Sequence, residues 1–299
     1  MIEIKNLTKK FDGFAAIDGL SMKIPTGSAY GLLGCNGAGK STLLRLITGI
    51  YKSDSGDILV DGKPVYDNVS VKQRMLFVSD ETSQFSGMTL EQIKRFYKTF
   101  YPNFSEELFK ELHAMTELPL KKKTTAFSKG MKRQAVVICA IAARPDYLFL
   151  DEAFDGLDPS MRITVKKMMI NAMADNDMTV VISSHNLHEI EEFCDTAGLM
   201  HGGKMVFNKD LSELKGEIHK VQASFDCEVT KEDFKDIDVL SVKHAMGLTF
   251  IIAKGSADRT LAAVKACSPS FCELVPLSLE EIFIHETEAL GYGNINIDI

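Results

Sequence analysis

Residues 29–48 read AYGLLGCNGAGKSTLLRLIT, and this stretch decides the fold. Ala29–Leu33 is an apolar run of strand type. It feeds a loop, Gly34-Cys35-Asn36-Gly37-Ala38-Gly39-Lys40-Ser41, that fits the pattern G-x-x-x-x-G-K-[ST]. Glycines let the backbone bend so that successive N–H groups point inward, where they can hold the oxygens of a phosphate chain. Lys40 adds a positive charge for the β and γ phosphates, and the Ser41 hydroxyl is placed to ligate Mg²⁺. The spacing predicts a helix over Lys40–Thr48, with Gly49 as its C-cap, and that helix directs its positive end at the phosphates.

Two further runs extend the pattern outward. Tyr147-Leu148-Phe149-Leu150 is a short continuous apolar segment, as expected of a strand buried on both faces. It delivers Asp151 and Glu152 to its C-terminal end, the edge at which open α/β sheets place ligands. There Asp151 can hold Mg²⁺ and Glu152 can polarise an attacking water. Thr179–Ser183 is a β-branched run of the same kind, and His185 follows it onto the same edge, within reach of a γ-phosphate. His188 and His201 have no such placement and read as structural. Strands separated by helix-length segments make an α/β chain with a mostly parallel sheet covered by helices on both faces.

A mainly helical stretch fills residues 85–145. Thr89 with Gln92 forms a capping-box pattern. Ile93, Phe96, Tyr97 and Phe100 then recur on one helical face and read as core. Ser105 before Glu106 and Glu107 marks another helix start. His201-Gly202-Gly203-Lys204 reads as a hairpin turn. The first domain is expected to end near Leu214, giving boundaries of 1–215 and 216–299. The second is read as a small α+β accessory domain, with a strand at Phe250–Ala253, a helix at Thr260–Cys267 and a frayed tail at Gly291–Ile299.

Composition narrows the function. The chain has 299 residues, 45 % hydrophobic and 25 % charged, which argues for a folded protein of one large or two unequal domains. The longest apolar run, Ala135–Ala143, stops at Arg144 and Pro145, short of the ~20 residues that cross a bilayer. The first residues lack an apolar segment behind a basic start, so no signal peptide is expected. Six cysteines without a CxxC pair fit reduced thiols. Cys267 and Cys272 lack the companions of a zinc site. The net charge of -7 is uneven: residues 215–299 carry -6 and the rest -1. An acidic C-terminal part repels phosphate backbones, so no nucleic-acid partner is expected. Lys121-Lys122-Lys123 is too small a patch to change this and reads as a solvated loop.

With these elements in this order, the sequence resembles the nucleotide-binding subunit of an ABC transporter over residues 1–215. Phe11 stands where that family places an adenine-stacking aromatic, and Gly34–Thr42 matches its phosphate loop. Phe127-Ser128-Lys129-Gly130-Met131 matches its signature, usually Leu-Ser-Gly-Gly-Gln. Tyr147–Glu152 matches its magnesium strand and catalytic acid. Gly156-Leu157-Asp158-Pro159 matches its dimer-contact loop, and Ser184-His185 its histidine switch. Lys129 and Met131 depart from the signature. Asp80 stands where the family carries a Gln after the strand that precedes the helical region. Leu279–Phe283 resembles the end of exporter-type subunits whose permease is a separate chain.

The resemblance implies a P-loop NTPase core with an antiparallel β subdomain and a helical subdomain, working as an ATPase with ATP and Mg²⁺. It implies Glu152 and His185 as catalytic residues. Phe11, Asn36, Gly37, Ala38, Gly39, Lys40, Ser41, Thr42, Ser128, Gly130 and Asp158 would bind nucleotide, and Ser41, Asp80 and Asp151 the metal. It implies a homodimer or heterodimer closed by ATP, docked on an integral membrane permease and held at the inner face of the cell membrane, in the direction of export. The alternative is a soluble ABC-type regulatory or remodelling ATPase.

Overall fold

The first element is a β-hairpin, β1 (Ile2–Phe11) and β2 (Phe14–Ile24), turned by Asp12 and Gly13, both at positive φ as a tight hairpin turn requires. In the computed structural model, which describes residues 1–81 and 83–289, there follow β3 (Ala29–Leu33), α1 (Lys40–Ile47), β4 (Ser55–Val60), β5 (Lys63–Pro64), α2 (Val69–Lys72) and β6 (Met75–Val78). Next come α3 (Leu90–Phe100), α4 (Glu106–Ala114), α5 (Lys129–Ala142), β7 (Tyr147–Asp151), α6 (Pro159–Asn176), β8 (Thr179–Ser184), α7 (Leu187–Phe193), β9 (Thr196–His201) and β10 (Lys204–Asp210). The remainder is α8 (Leu211–Glu217), β11 (Ile218–Ser224), β12 (Asp238–Ala245), β13 (Leu248–Lys254), α9 (Ala257–Ala266), β14 (Phe271–Val275) and α10 (Leu279–Ala289).

The chain divides into two units, with the junction between Asn208 and Lys209. The junction expected at 215/216 falls within α8, whose Leu211 and Leu214 are buried. The tail expected at Gly291–Ile299 lies outside the described residues.

The first unit holds two sheets. One is antiparallel, in the order β2-β1-β4-β5. The other runs β10-β9-β3-β8-β7-β6 and is parallel from β9 through β6. Every residue of β3, β7 and β8 is buried, which explains their continuous apolar reading. Leu43, Leu44, Leu46 and Ile47 of α1 pack into a core that joins Ile2, Leu7, Ile17 and Ile24 of the antiparallel sheet to Tyr147, Phe149 and Val181 of the parallel one.

Register matters most for function. Asp151 of β7 pairs with Ser183 of β8, and Leu33 of β3 pairs with Ser184. The three strands therefore end level, and the residues that follow them emerge together at one edge.

The helical stretch is α3, α4 and α5. Thr89 and Gln92 form the expected capping box, and Ser105 caps α4. The aromatic stripe is only half core. Ile93 and Tyr97 are buried, whereas Phe96 and Phe100 are 43 % and 58 % exposed. The four positions span an arc of about 100° on a helix, and only the Ile93–Tyr97 side of it is covered.

In the second unit an antiparallel sheet, β12-β13-β11-β14, packs Val221, Ala223 and Ile251 against Val264 of α9. The expected strand at 250–253 lies within β13, and the expected helix is α9.

Candidate nucleotide site

The loop from Gly34 to Lys40 is bent by residues that only glycine fits. A Cβ on Gly34 would stand 2.5 Å from the Met200 carbonyl oxygen, and one on Gly39 2.6 Å from that of Ala16. Both have positive φ. The loop opens directly into α1, whose first turn carries Lys40 and Ser41. Lys40 is 6 % exposed. Its Nζ donates to the carbonyl of Gly34 at 2.5 Å and lies 3.5 Å from Glu152 Oε1.

Asp151 is fully buried. Its Oδ1 accepts from Ser41 Oγ at 3.0 Å and from Ser183 Oγ at 2.6 Å. Its Oδ2 has no hydrogen-bond partner among the described residues. A buried carboxylate oxygen without a partner is costly unless a cation meets it. A hard cation such as Mg²⁺ takes oxygen ligands and keeps several from water and substrate phosphate, so Asp151 and Ser41 fit it. Asp80 lines the same cleft, with its carboxylate 3.9 Å from Arg45.

Glu152 sits at φ +50°, a left-handed conformation that is strained for a side chain with a Cβ. The strain is held by its N–H, which meets both the carbonyl and the hydroxyl of Ser183, at 3.2 and 3.1 Å. This turn swings the carboxylate back over the loop. Its Oε2 lies 3.0 Å from His185 Nδ1. An ionised carboxylate only accepts, so Nδ1 carries a proton, and Nε2 is the nitrogen left to face a ligand. His188 instead lies on the surface of α7, paired with Glu192.

Lys40, Ser41, Asp80 and Glu152 line a cleft of about 390 Å³, together with Asn36, Gly37, Ala38 and Thr42; Asp151 and His185 adjoin it through Ser41 and Glu152. Phe11 and Phe14 stand at its mouth, 40 % and 66 % exposed. Phe11 is held edge-on by Tyr51 at 5.6 Å. Apolar rings at the end of a phosphate cleft suit a purine base.

Ser128, Gly130 and Asp158 do not line this cleft. Ser128 caps α5 by accepting from Met131 N–H, and Asp158 caps α6. Bonds from Ser160 and the Met161 N–H hold the Asp158 carboxyl below its ordinary range. Gly130 is packed against the turn that precedes α6: a Cβ there would lie 2.8 Å from the Gly156 carbonyl. Lys129 lies along Gly156 and reaches Asp155 at 3.4 Å.

The residue reading therefore brings Lys40, Ser41, Asp151, Glu152 and His185 together and leaves the signature residues elsewhere. It missed Ser183, Phe14 and the strain at Glu152. No signal in the sequence marks Ser183: its role follows from strand register, which sets it opposite Asp151 one residue before the end of β8.

An ABC transporter family match covers residues 17–155. The ABC transporter ATP-binding protein YtrB of Bacillus subtilis (strain 168) is 33 % identical over 288 residues, covering 95 % of this chain and 97 % of that one. The chain belongs to the ABC transporter ATP-binding family. It is thus an ATP-binding and ATP-hydrolysing subunit that energises transport, and a soluble remodelling role is not favoured. The linearmycin resistance ATP-binding protein LnrL of the same organism is 31 % identical over 213 residues, 69 % of this chain and 68 % of that one. A solved structure of an ATP-binding subunit of an ABC transporter superposes with a TM-score of 0.66 at 25 % identity, covering 72 % of this chain and 92 % of that one. Subunits of this family work with membrane permeases and dimerise. Among the described residues of this cassette, no helix is long and apolar enough to cross a membrane.

Proposed function

We propose that two copies of this subunit, or one copy and a related subunit, clamp ATP between the phosphate loop of one and the Ser128–Gly130 turn of the other, and so drive a separate permease. The carrying observation is the division of the site within one chain. The phosphate loop, Asp80 and Glu152 share one cleft, while Ser128 and Gly130 lie outside it. A γ-phosphate touched by both needs a second subunit.

In this reading Gly37, Ala38 and Gly39 bend so that backbone N–H groups cradle the phosphates, with Asn36 and Thr42 beside them, and Lys40 neutralises the β and γ groups. Ser41, Asp151 and Asp80 would hold Mg²⁺, which when bound would supply charge neutralisation on the phosphates. Glu152 orients the attacking water and accepts its proton. His185, with both ring nitrogens protonated, donates from Nδ1 to the Glu152 carboxylate and from Nε2 to the γ-phosphate. Phe11 stacks on the base. Ser128 and the N–H groups near Gly130 open α5, whose positive end suits the γ-phosphate, and Asp158 faces the second subunit.

Loss of the γ-phosphate removes the contacts that close the pair, so hydrolysis opens it. The permease docks on the helical region at the inner face of the cell membrane. Export is favoured by the exporter-type C-terminal end and by a relative named for linearmycin resistance. Sedimentation of the purified chain tests the reading: Mg²⁺ with ATPγS should convert a single species to a pair. A chain that binds nucleotide but never pairs overturns it. Affinity capture from detergent extract should bring down a polytopic membrane protein.

A further inference from the structure

Arg133 is 1 % exposed and is the largest fully buried side chain described. It lies one turn into α5, beyond the Ser128 cap. A buried guanidinium is costly to desolvate, and its hydrogen bonds must offset that cost. Here its partners are two successive backbone carbonyls just past β6. Nη1 donates to Ser79 O at 2.6 Å and Nη2 to Asp80 O at 3.0 Å. Nε has no partner. Burial works against the charge, while the carboxylates of Asp80, Asp155, Asp151 and Glu152 favour it. One cation thus joins the helix that Ser128 caps to the loop that carries Asp80, and feels the acids at the end of β7.

We infer that Arg133 is a positioning residue that locks the Asp80 loop to the first turn of α5, so that a nucleotide drawing in Asp80 also sets the Ser128–Gly130 turn offered to the second subunit. The planar fork is what makes the link directional. Two parallel bonds to consecutive carbonyls fix both position and tilt, which a single ammonium cannot do. The inference rests on the two-subunit reading and adds the means by which one site prepares the other.

The test compares wild type, Arg133→Lys and Arg133→Met in two measurements. One is the affinity of the dilute, unpaired chain for Mg²⁺ and ATPγS. The other is pairing by sedimentation at saturating Mg²⁺ and ATPγS. Both variants should keep the first within about twofold and weaken pairing about tenfold or more, the loss expected for a hydrogen bond to a charged group. A Lys variant that pairs like wild type reduces the role to charge and overturns the inference. So does a Met variant that pairs normally, or an affinity loss equal to the pairing loss. If Arg133→Met does not fold, Arg133→Lys carries the test, with its thermal midpoint as control. A wild-type chain that binds but does not pair removes the two-subunit reading itself, and the wild-type arm alone reveals this.

Discussion

Lys40 Nζ and Glu152 Oε1 stand 3.5 Å apart at the end of the parallel sheet, and the other oxygen of the same carboxylate holds His185. The lysine that must meet phosphate therefore has a competing anion beside it, with its side chain only 6 % exposed and little water to screen the pair. In the proposed reaction, phosphate binding and activation of water are linked through this contact: a γ-phosphate that takes Lys40 would leave Glu152 free to receive a proton.

Replacing Glu152 by Gln removes both the competitor and the base. Turnover should fall by about 10²–10⁴-fold, the usual scale of general-base catalysis. Affinity for ATP should rise or stay level rather than fall, because Lys40 loses an anionic rival. Steady-state hydrolysis and equilibrium binding on one preparation check both. Unchanged turnover would remove Glu152 from the reaction.

Lys40→Ala should weaken ATP binding about 10–100-fold, from the loss of charge-assisted hydrogen bonds to phosphate. The fold should survive, since among the described residues Lys40 bonds only within its loop and to Glu152. Calorimetric titration with a thermal melt as control is the measurement, and retained affinity would contradict the phosphate-loop assignment.

Asp80 differs in kind. Its carboxylate is 52 % exposed and its partner Arg45 is 3.9 Å away, so that pair contributes about 0–1 kcal/mol at most. A Gln carbonyl is also a hard oxygen ligand. Asp80→Gln should leave the thermal midpoint within about 2 °C and raise the Mg²⁺ needed for half-maximal ATPase activity by less than about tenfold. Loss of all hydrolysis would mean that the charge itself is required.

Glu106 provides a pH test away from the site. Hydrogen bonds from Lys98 and then Lys94, at 2.9 and 3.1 Å, lower its pKa and join α3 to α4. A carboxyl whose folded pKa is depressed adds stability above its ordinary value of 4.5, and loses it as pH falls through the folded value. Glu106→Gln should lower the thermal midpoint at pH 7 by the equivalent of about 0.5–1 kcal/mol, and by progressively less below pH 4.5. A difference that persists at pH 3 would show that packing, not charge, is lost.

The sequence was most legible where one local rule suffices. The glycines of residues 34–39 announce the loop, and the apolar runs of β3, β7 and β8 announce buried strands, because burial on both faces leaves no other composition. Phe96 and Phe100 were misread, since periodicity marks an apolar arc but not how much of it a neighbour covers. Ser183 and Arg133 were not legible, because their roles depend on register and on carbonyls 53 and 54 residues away. The unit junction was placed seven residues late because α8 is amphipathic and reads equally well as the end of one unit or the start of the next.

Gly130→Ala tests whether the signature turn and the turn before α6 act as one piece. A Cβ at 130 would lie 2.8 Å from the Gly156 carbonyl, and backbone cannot yield as a side-chain tip does. Gly156 is at φ +75° with the Lys129 stem lying along it, so the clash cannot be relieved by a simple flip. Forced separation should cost about 1–3 kcal/mol, the scale of overpacking. Since neither residue lines the nucleotide cleft, ATP affinity of the dilute chain should change less than about threefold, while hydrolysis falls about tenfold or more. Crystals or hydrogen exchange of the variant should place the change at residues 128–131 and 155–158. A variant that hydrolyses ATP at the wild-type rate would mean that the close approach at Gly130 serves packing alone.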